Sequence, residues 1–479
     1  MGGFKATTAL FMLTLCKSFF SVVSEPDVVT APMERTEQEA LHAALRGIVG
    51  NGWNGSELYP DPCGWTPIQG VSCDLFEGMW YVTVLNIGPI YDNSLECAND
   101  AKLDEHLFEL KHLTSISFFN CFTSTDRPAT LASDNWNKLA TSLRALEFRS
   151  NRGLIGTIPS TLGSLTNLES LVLIENALNN GEIPRELDNL FNLKRLSLAG
   201  NSLSGPIPST LGNSLSNLLI LDLSRNSLTG PVPPSLGNMH SLLKLDLSYN
   251  CLNGTLPNEL STLRNLTLLD LRNNSICGGW LQALQGMVSI QEVLLSNNPM
   301  GGNLMAFFEW KILINLTTLD LSNLSITGEI PESMTGLRRL RFLALDNNYI
   351  TGSVSAEFAD LPCINSLHIS SNNLTGELRF PEGFYKKMGR RFAAWNNPNL
   401  CYNASSKSAG YVPLGVDKCE HEKENYISIT SEENKRDKEN RTANSDRIAS
   451  VGRSAASITR FKRVILAPLL SVFLFVMLL

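Results

Sequence analysis

The chain has 479 residues and a formal net charge of −7, an acidic balance that removes the basic footprint a nucleic-acid partner needs. Six histidines without a metal-like or nucleophile–base spacing, and the absence of a glycine-rich phosphate loop, give no catalytic or cofactor site. The length would suit two or three ordinary domains, but a repeat array escapes that arithmetic because each coil packs only on its neighbours.

Residues 1–24 read as a signal peptide, with Lys5, apolar runs at 9–15 and 19–23, and the small Ser24 before Glu25 and Pro26. The competing reading is a buried N-terminal helix. Ten cysteines occur and Cys16 leaves with the signal, so nine remain in a compartment where disulfides persist. Cys63 with Cys73 and Cys401 with Cys419 are close in sequence and bracket the repeats. Cys251 and Cys277 fall at nearly the same phase of adjacent coils and are expected to pair, Cys97 and Cys121 follow as what remains, and Cys363 is expected as a buried free thiol.

Between residues 143 and 376 the chain repeats every 24 to 26 residues. Leu221-Asp222-Leu223-Ser224-Arg225-Asn226-Ser227-Leu228-Thr229-Gly230-Pro231-Val232-Pro233 returns as Leu245-Asp246-Leu247-Ser248-Tyr249-Asn250-Cys251-Leu252-Asn253-Gly254-Thr255-Leu256-Pro257. The Leu-x-Leu segment predicts a short strand whose alternate leucines make an apolar layer that only the next coil can cover. Where the strand turns away, an asparagine at 151, 176, 201, 226, 250, 274, 298, 348 and 372 can satisfy buried backbone groups, since its amide offers donors and an acceptor. One rung is irregular, with Leu324 in the ladder position beside Asn323. The Gly-x-Ile-Pro stretch then runs along the opposite face, glycine bending and proline extending the chain. Helices would show a 3.6 period, whereas these units alternate at two and break at every turn. Two looser strands, 82–87 and 113–119, extend the array to about twelve coils.

Residues 420–453 are polar, mixed in charge and poor in apolar side chains, the composition of a disordered stalk. Ser454, Ala455 and Ala456, a short polar spacer and the apolar run 464–479 follow the order of a lipid-anchor signal attached at Ser454. The alternative is a membrane-spanning tail, against which stand its 16 residues with Pro468 and the outward placement of Arg460, Lys462 and Arg463.

The Leu-x-Gly-x-Ile-Pro element, as in Gly156-Thr157-Ile158-Pro159, Gly205-Pro206-Ile207-Pro208 and Gly328-Glu329-Ile330-Pro331, resembles the plant-specific class of extracellular leucine-rich repeats. Residues 39–45 followed by Asp61-Pro62-Cys63-Gly64-Trp65 and Gly70-Val71-Ser72-Cys73 are similar to the N-terminal cap of that class, and Trp395-Asn396-Asn397-Pro398-Asn399-Leu400-Cys401 to its C-terminal cap. The resemblance spans residues 37–419. It implies an α/β-type repeat solenoid, a superhelix capped at 25–80 and 395–419 around repeats at 81–394. It also implies a cell-surface, receptor-like protein on the outer face of the plasma membrane, acting in plant signalling or the response to microbes. Without a kinase of its own, such a protein binds an extracellular peptide, protein or glycan and works with a transmembrane receptor kinase.

Nine Asn-x-Ser/Thr sequons begin at Asn54, Asn253, Asn265, Asn273, Asn315, Asn323, Asn373, Asn403 and Asn440. The outward strand positions should tile one sheet available to a partner. There Arg149, Ile174, Glu175, Arg195, Arg225 and Tyr249 are the candidate ligand-binding residues, with Tyr249 and Arg225 foremost because aromatic and arginine side chains dominate interface energetics. Taken one at a time, each is more simply a solvated strand residue. Glycans on Asn273 and Asn323 would obstruct the later coils and favour the N-terminal half. A second function class is an inhibitor of microbial cell-wall hydrolases. The tail separates the two, because a soluble inhibitor needs no anchor. The aspartates Asp222, Asp246, Asp270 and Asp320 recur at one strand position and read as a feature of the repeat rather than a catalytic pair.

Overall fold

A computed structural model describes residues 31–90, 94–179, 181–305, 308–403 and 412–419. The signal peptide, Asn440, the stalk, Ser454 and the apolar tail lie outside the described residues.

Each coil turns one inward-facing leucine set into a layer. Leu221 and Leu223, Leu245 and Leu247, and Leu269 and Leu271 are buried to within one per cent of complete, and each pair sits in register with the next: Leu221 opposite Leu245, Leu245 opposite Leu269. Stacking in this way builds a sheet of fourteen strands among the described residues, all parallel except the first pair. The chain is thus an α/β-type repeat solenoid. On the opposite face most connections are single 3-10 turns such as Ser160–Ser164, Pro234–Asn238 and Asn258–Thr262, too short for a full α-helical layer. One exception, the α-helix Trp280–Leu284, follows Gly278 and Gly279, both at positive φ. A Cβ at Gly279 would come 2.3 Å from the Leu256 carbonyl oxygen, so only glycine admits this approach.

The two ends are sealed differently. At the N-terminal end the helix Arg35–Val49 lays Leu41, Leu45 and Ile48 on the first layer, and the antiparallel strands Val71–Phe76 and Met79–Ile87 carry the Cys63–Cys73 disulfide. Cys97–Cys121 ties the next coil. At the C-terminal end Phe380, Phe384, Tyr385 and Phe392 pack edge to face or tilted around the helix Glu382–Met388. Cys401–Cys419 closes that end.

The expected Cys251–Cys277 disulfide does not form; both thiols are free and exposed. Cys251 stands one residue past its ladder asparagine, Asn250, and Cys277 three past Asn274, so their phases differ by two positions. In the second, narrow sheet Asn253 lies opposite Ser275 and Gly254 opposite Ile276, a stagger that leaves the two cysteines four residues, about 13 Å, apart along the strands. A disulfide needs Cα atoms within about 7 Å. Cys363 is exposed rather than buried. Leu361 and Ile364 take the inward positions of a Leu-x-x-Leu spacing, as Leu337 and Leu340 do, and Pro362 and Cys363 between them face out. Alkylation without reduction is expected to label Cys251, Cys277 and Cys363 together, read by peptide mass spectrometry; a cross-linked 251–277 peptide would contradict the stagger.

The N-terminal seal also contains a titratable brace. Glu37 is buried and accepts a hydrogen bond from the Val82 amide at 3.2 Å. Burial, reinforced by the nearby Glu34 and opposed by the Val82 bond, pushes its carboxyl from 4.5 up to about 7. The folded chain therefore holds this proton more tightly than the unfolded chain. The contribution to stability is fully present below pH 4.5 and is lost as pH rises through 7, on the order of 2 to 3 kcal/mol. Urea unfolding followed from pH 4.5 to 7.5 is expected to show this decline, and Glu37→Gln to flatten it.

Candidate binding face and its rim

The asparagine ladder sets the geometry of the candidate binding face. Asn250 Oδ1 accepts from the Leu228 amide at 3.0 Å, while its Nδ2 donates to the Leu223 carbonyl at 3.0 Å and to Leu247 at 3.1 Å. Each rung therefore closes the turn of the coil before it. The irregular rung is bridged from its neighbour: with Leu324 apolar and buried, Asn348 Oδ1 takes the amides of both Leu324 and Ile326 at 3.0 Å. Asn397 adds a rung in the C-terminal seal, accepting from Leu374 at 3.1 Å.

The residue immediately before each rung leaves the strand in a left-handed conformation, at 120, 150, 175, 200, 225, 249, 273, 297, 323, 347, 371 and 396. Together these residues form a rim along one edge of the long sheet. Asparagine and glycine, which tolerate positive φ best, hold seven of the positions, and serine two. The other three are Glu175, Arg225 and Tyr249, with φ of 54° to 55°. Side chains poorly suited to this backbone persist where the surrounding fold enforces them, and such outliers cluster at functional positions. Arg225 lies 5.9 Å over the Tyr249 ring, which is 47% exposed. Glu175 receives the Ser150 hydroxyl at 3.0 Å.

The remaining candidates divide. Arg149 and Ile174 are opposite each other at the rim end of neighbouring strands, and Arg149 is paired with Glu147 at 3.0 Å. Arg195 is opposite Ser170 and Ile220, four strand positions and about 13 Å from the rim end, so it does not join the rim group. Beside it the Ser197 hydroxyl is buried without a hydrogen-bond partner. Arg195, Arg152 and Arg225 have no ion pair among the described residues.

The recurring aspartates close turns. Asp222, Asp246 and Asp320 accept from the backbone amide two residues on at 3.1 to 3.2 Å and from that serine's hydroxyl at 2.7 Å. Asp270 accepts from the Arg272 amide and holds its guanidinium at 2.6 Å. Lys244 bridges Asp222 and Asp246 at 3.1 and 3.3 Å. Burial, with Asp222 and Asp270 adding repulsion, raises the Asp246 carboxyl above its ordinary range. Among the described residues no group of histidine, cysteine and carboxylate side chains could hold a metal ion.

Of the sequons, Asn54, Asn253, Asn265, Asn323 and Asn373 are exposed and Asn273, Asn315 and Asn403 partly covered. Two of them belong to a second asparagine row that the sequence reading missed. Asn167, Asn192, Asn217, Asn265 and Asn315 each donate to a carbonyl of the coil before, at 2.9 to 3.1 Å. Its sequence signal is the Asn-Leu pair recurring ahead of five of the strands. On the rim itself Asn297 donates to Asn273 and Asn323 to Asn297.

Leucine rich repeat family models match residues 192–214, 216–276 and 314–374. The chain is 52% identical over 177 residues to Piriformospora indica-insensitive protein 2 of Arabidopsis thaliana, covering 37% of this chain and 41% of that protein. It is 35% identical over 173 residues to Receptor like protein 29 of the same plant, covering 36% of each. The chain thus spans less than half the length of the curated relatives it matches. Among solved structures, that of PEPR1-AtPEP1 superposes with a TM-score of 0.61 at 26% identity, over 77% of this chain and 52% of that one. A TDR receptor has the same fold, with a TM-score of 0.50 at 24% identity over 64% of this chain and 55% of that one.

Proposed function

We propose that this chain, whose repeats match leucine rich repeat models, is a receptor-like protein of the plant cell surface. It captures an extracellular peptide, protein or glycan on the long-sheet face and its rim, and the signal passes through a transmembrane receptor kinase. The observation that carries this reading is the placement of Arg225 and Tyr249 side by side, exposed, in a backbone conformation that neither residue favours. The orphan Ser197 hydroxyl beside the unpaired Arg195 supports it, since a buried polar group without a partner is costly until something bonds it. Likeness to PEPR1-AtPEP1 over three quarters of this chain supports capture of an extracellular ligand. Secretion by residues 1–24 and anchoring through Ser454 complete the proposal.

The test is co-purification of receptor kinases with the full-length chain from plant membranes. The joint variant Arg225→Ala, Tyr249→Ala is expected to lower kinase recovery roughly tenfold, the loss of one buried anchor pair, at unchanged surface abundance. Equal recovery from both would reject the placement.

A further inference from the structure

An open depression of about 670 Å³ follows the rim at the N-terminal coils, from Asn120 past Ser150 and Arg152 to Glu175 and Gly200. It crosses four coils, about 14 Å of parallel strands at their usual spacing. Most small-molecule sites are walled by apolar side chains; this one has none. Its side chains are hydroxyls, amides, one guanidinium and one carboxylate, so donors and acceptors are dense while the charges cancel. A lipid or an aromatic ligand finds no apolar side chain to bury against, only the carbons of polar ones, and an anion attracted by Arg152 is repelled by Glu175. The chemistry left is that of a neutral molecule carrying many hydroxyl groups. We propose that this depression is a carbohydrate subsite taking a short uncharged oligosaccharide.

Three features fit the groups for that task. Glu175 is held by the Ser150 hydroxyl, and Asn176 below it is fixed by its bond to the Phe148 carbonyl at 2.9 Å, so little ordering is left to do on binding. Arg152 is exposed and has no hydrogen bond or ion pair among the described residues, which leaves its planar fork for paired hydroxyls. Gly200, the one glycine on the rim, keeps the space beside Glu175 open, since a Cβ there would lie 3.2 Å from Glu175 Cγ. This inference rests on the receptor reading for the meaning of capture, but its residues are not Arg225 or Tyr249, so the two fail separately.

The experiment uses the detergent-solubilised full-length chain on an array of neutral oligomers of glucose, N-acetylglucosamine, xylose and mannose, with oligogalacturonate as the charged arm. At least one neutral oligomer is expected to bind. Arg152→Gln, Glu175→Gln and Gly200→Asn should each weaken it roughly tenfold, the loss of about one charge-assisted hydrogen bond. Arg338→Gln, at an exposed site outside both residue groups, should bind the oligomer as the wild type does. Asparagine tolerates the Gly200 backbone, and Arg152→Gln, at an exposed site, carries the test if Gly200→Asn unfolds. Binding of oligogalacturonate alone, no binding of any neutral oligomer, or binding indifferent to Arg152→Gln and Glu175→Gln would overturn the proposal.

Discussion

Replacing Asn151 by alanine is expected to destabilise the N-terminal coils by about 3 to 5 kcal/mol, among the largest losses any one substitution can cause here. Asn151 is completely buried. Its Oδ1 accepts from the amides of Cys121 at 2.8 Å and Phe122 at 3.0 Å, and its Nδ2 donates to the Phe118 carbonyl at 3.0 Å. Alanine strands all three groups away from water, each worth about 1 to 3 kcal/mol when unpaired. Asn151→Asp keeps the acceptor but turns a second carboxyl oxygen toward the Phe118 and Arg149 carbonyls and Asn176 Oδ1, so it is expected to be no milder than alanine. Urea unfolding gives the total, and amide exchange should localise the loss to residues 115–155, because a repeat contacts only its neighbours.

The second large effect is Trp136→Ala, expected to cost about 3 to 5 kcal/mol. The indole is fully buried, donates to the Leu131 carbonyl at 3.0 Å and stands edge-on to Phe108 at 5.0 Å. Removing it opens a cavity in a layer only one coil thick and leaves the carbonyl unpaired. Trp136→Phe keeps most of the ring volume and should recover more than half of the loss. A fall in the urea midpoint smaller for alanine than for phenylalanine would contradict this account.

The layer, the strand and the ladder were legible because each is a local rule repeated: a Leu-x-Leu strand has one possible inward face, and the asparagine after it has one possible use. What escaped depends on how coils stack rather than on what each contains. Near-equal phase suggested that Cys251 meets Cys277, but Cys277 stands two positions further past its ladder asparagine than Cys251 does, and the stagger of the narrow sheet, which is set by the turns between coils, adds two more. The left-handed rim was hidden for the same reason. Glu175, Arg225 and Tyr249 stood out in the sequence as charged or aromatic, and their unusual backbone became visible only when twelve coils could be compared at one position. Arg195 was grouped with them because both lie on one face; four residues of strand separate them along it. The second asparagine row was there to be read in the recurring Asn-Leu pairs, but two of those asparagines, Asn265 and Asn315, are also sequons, and that meaning obscured the other.

Every asparagine rung completes the coil that precedes it, while the backbone bonds between coils run both ways: Lys244 donates back to Leu219 and Leu223 donates forward to Asp246. Loss of a side-chain rung is therefore felt first in the coil before it, and Asn397 in the terminal seal serves the last full coil in this way. At Leu324 no side-chain amide is offered to the preceding coil, and Asn348 holds two backbone amides at once. The sheet keeps its register across that point, Leu319 lying opposite Val293 on one side and Leu343 on the other, so a missing rung leaves the stack unbroken.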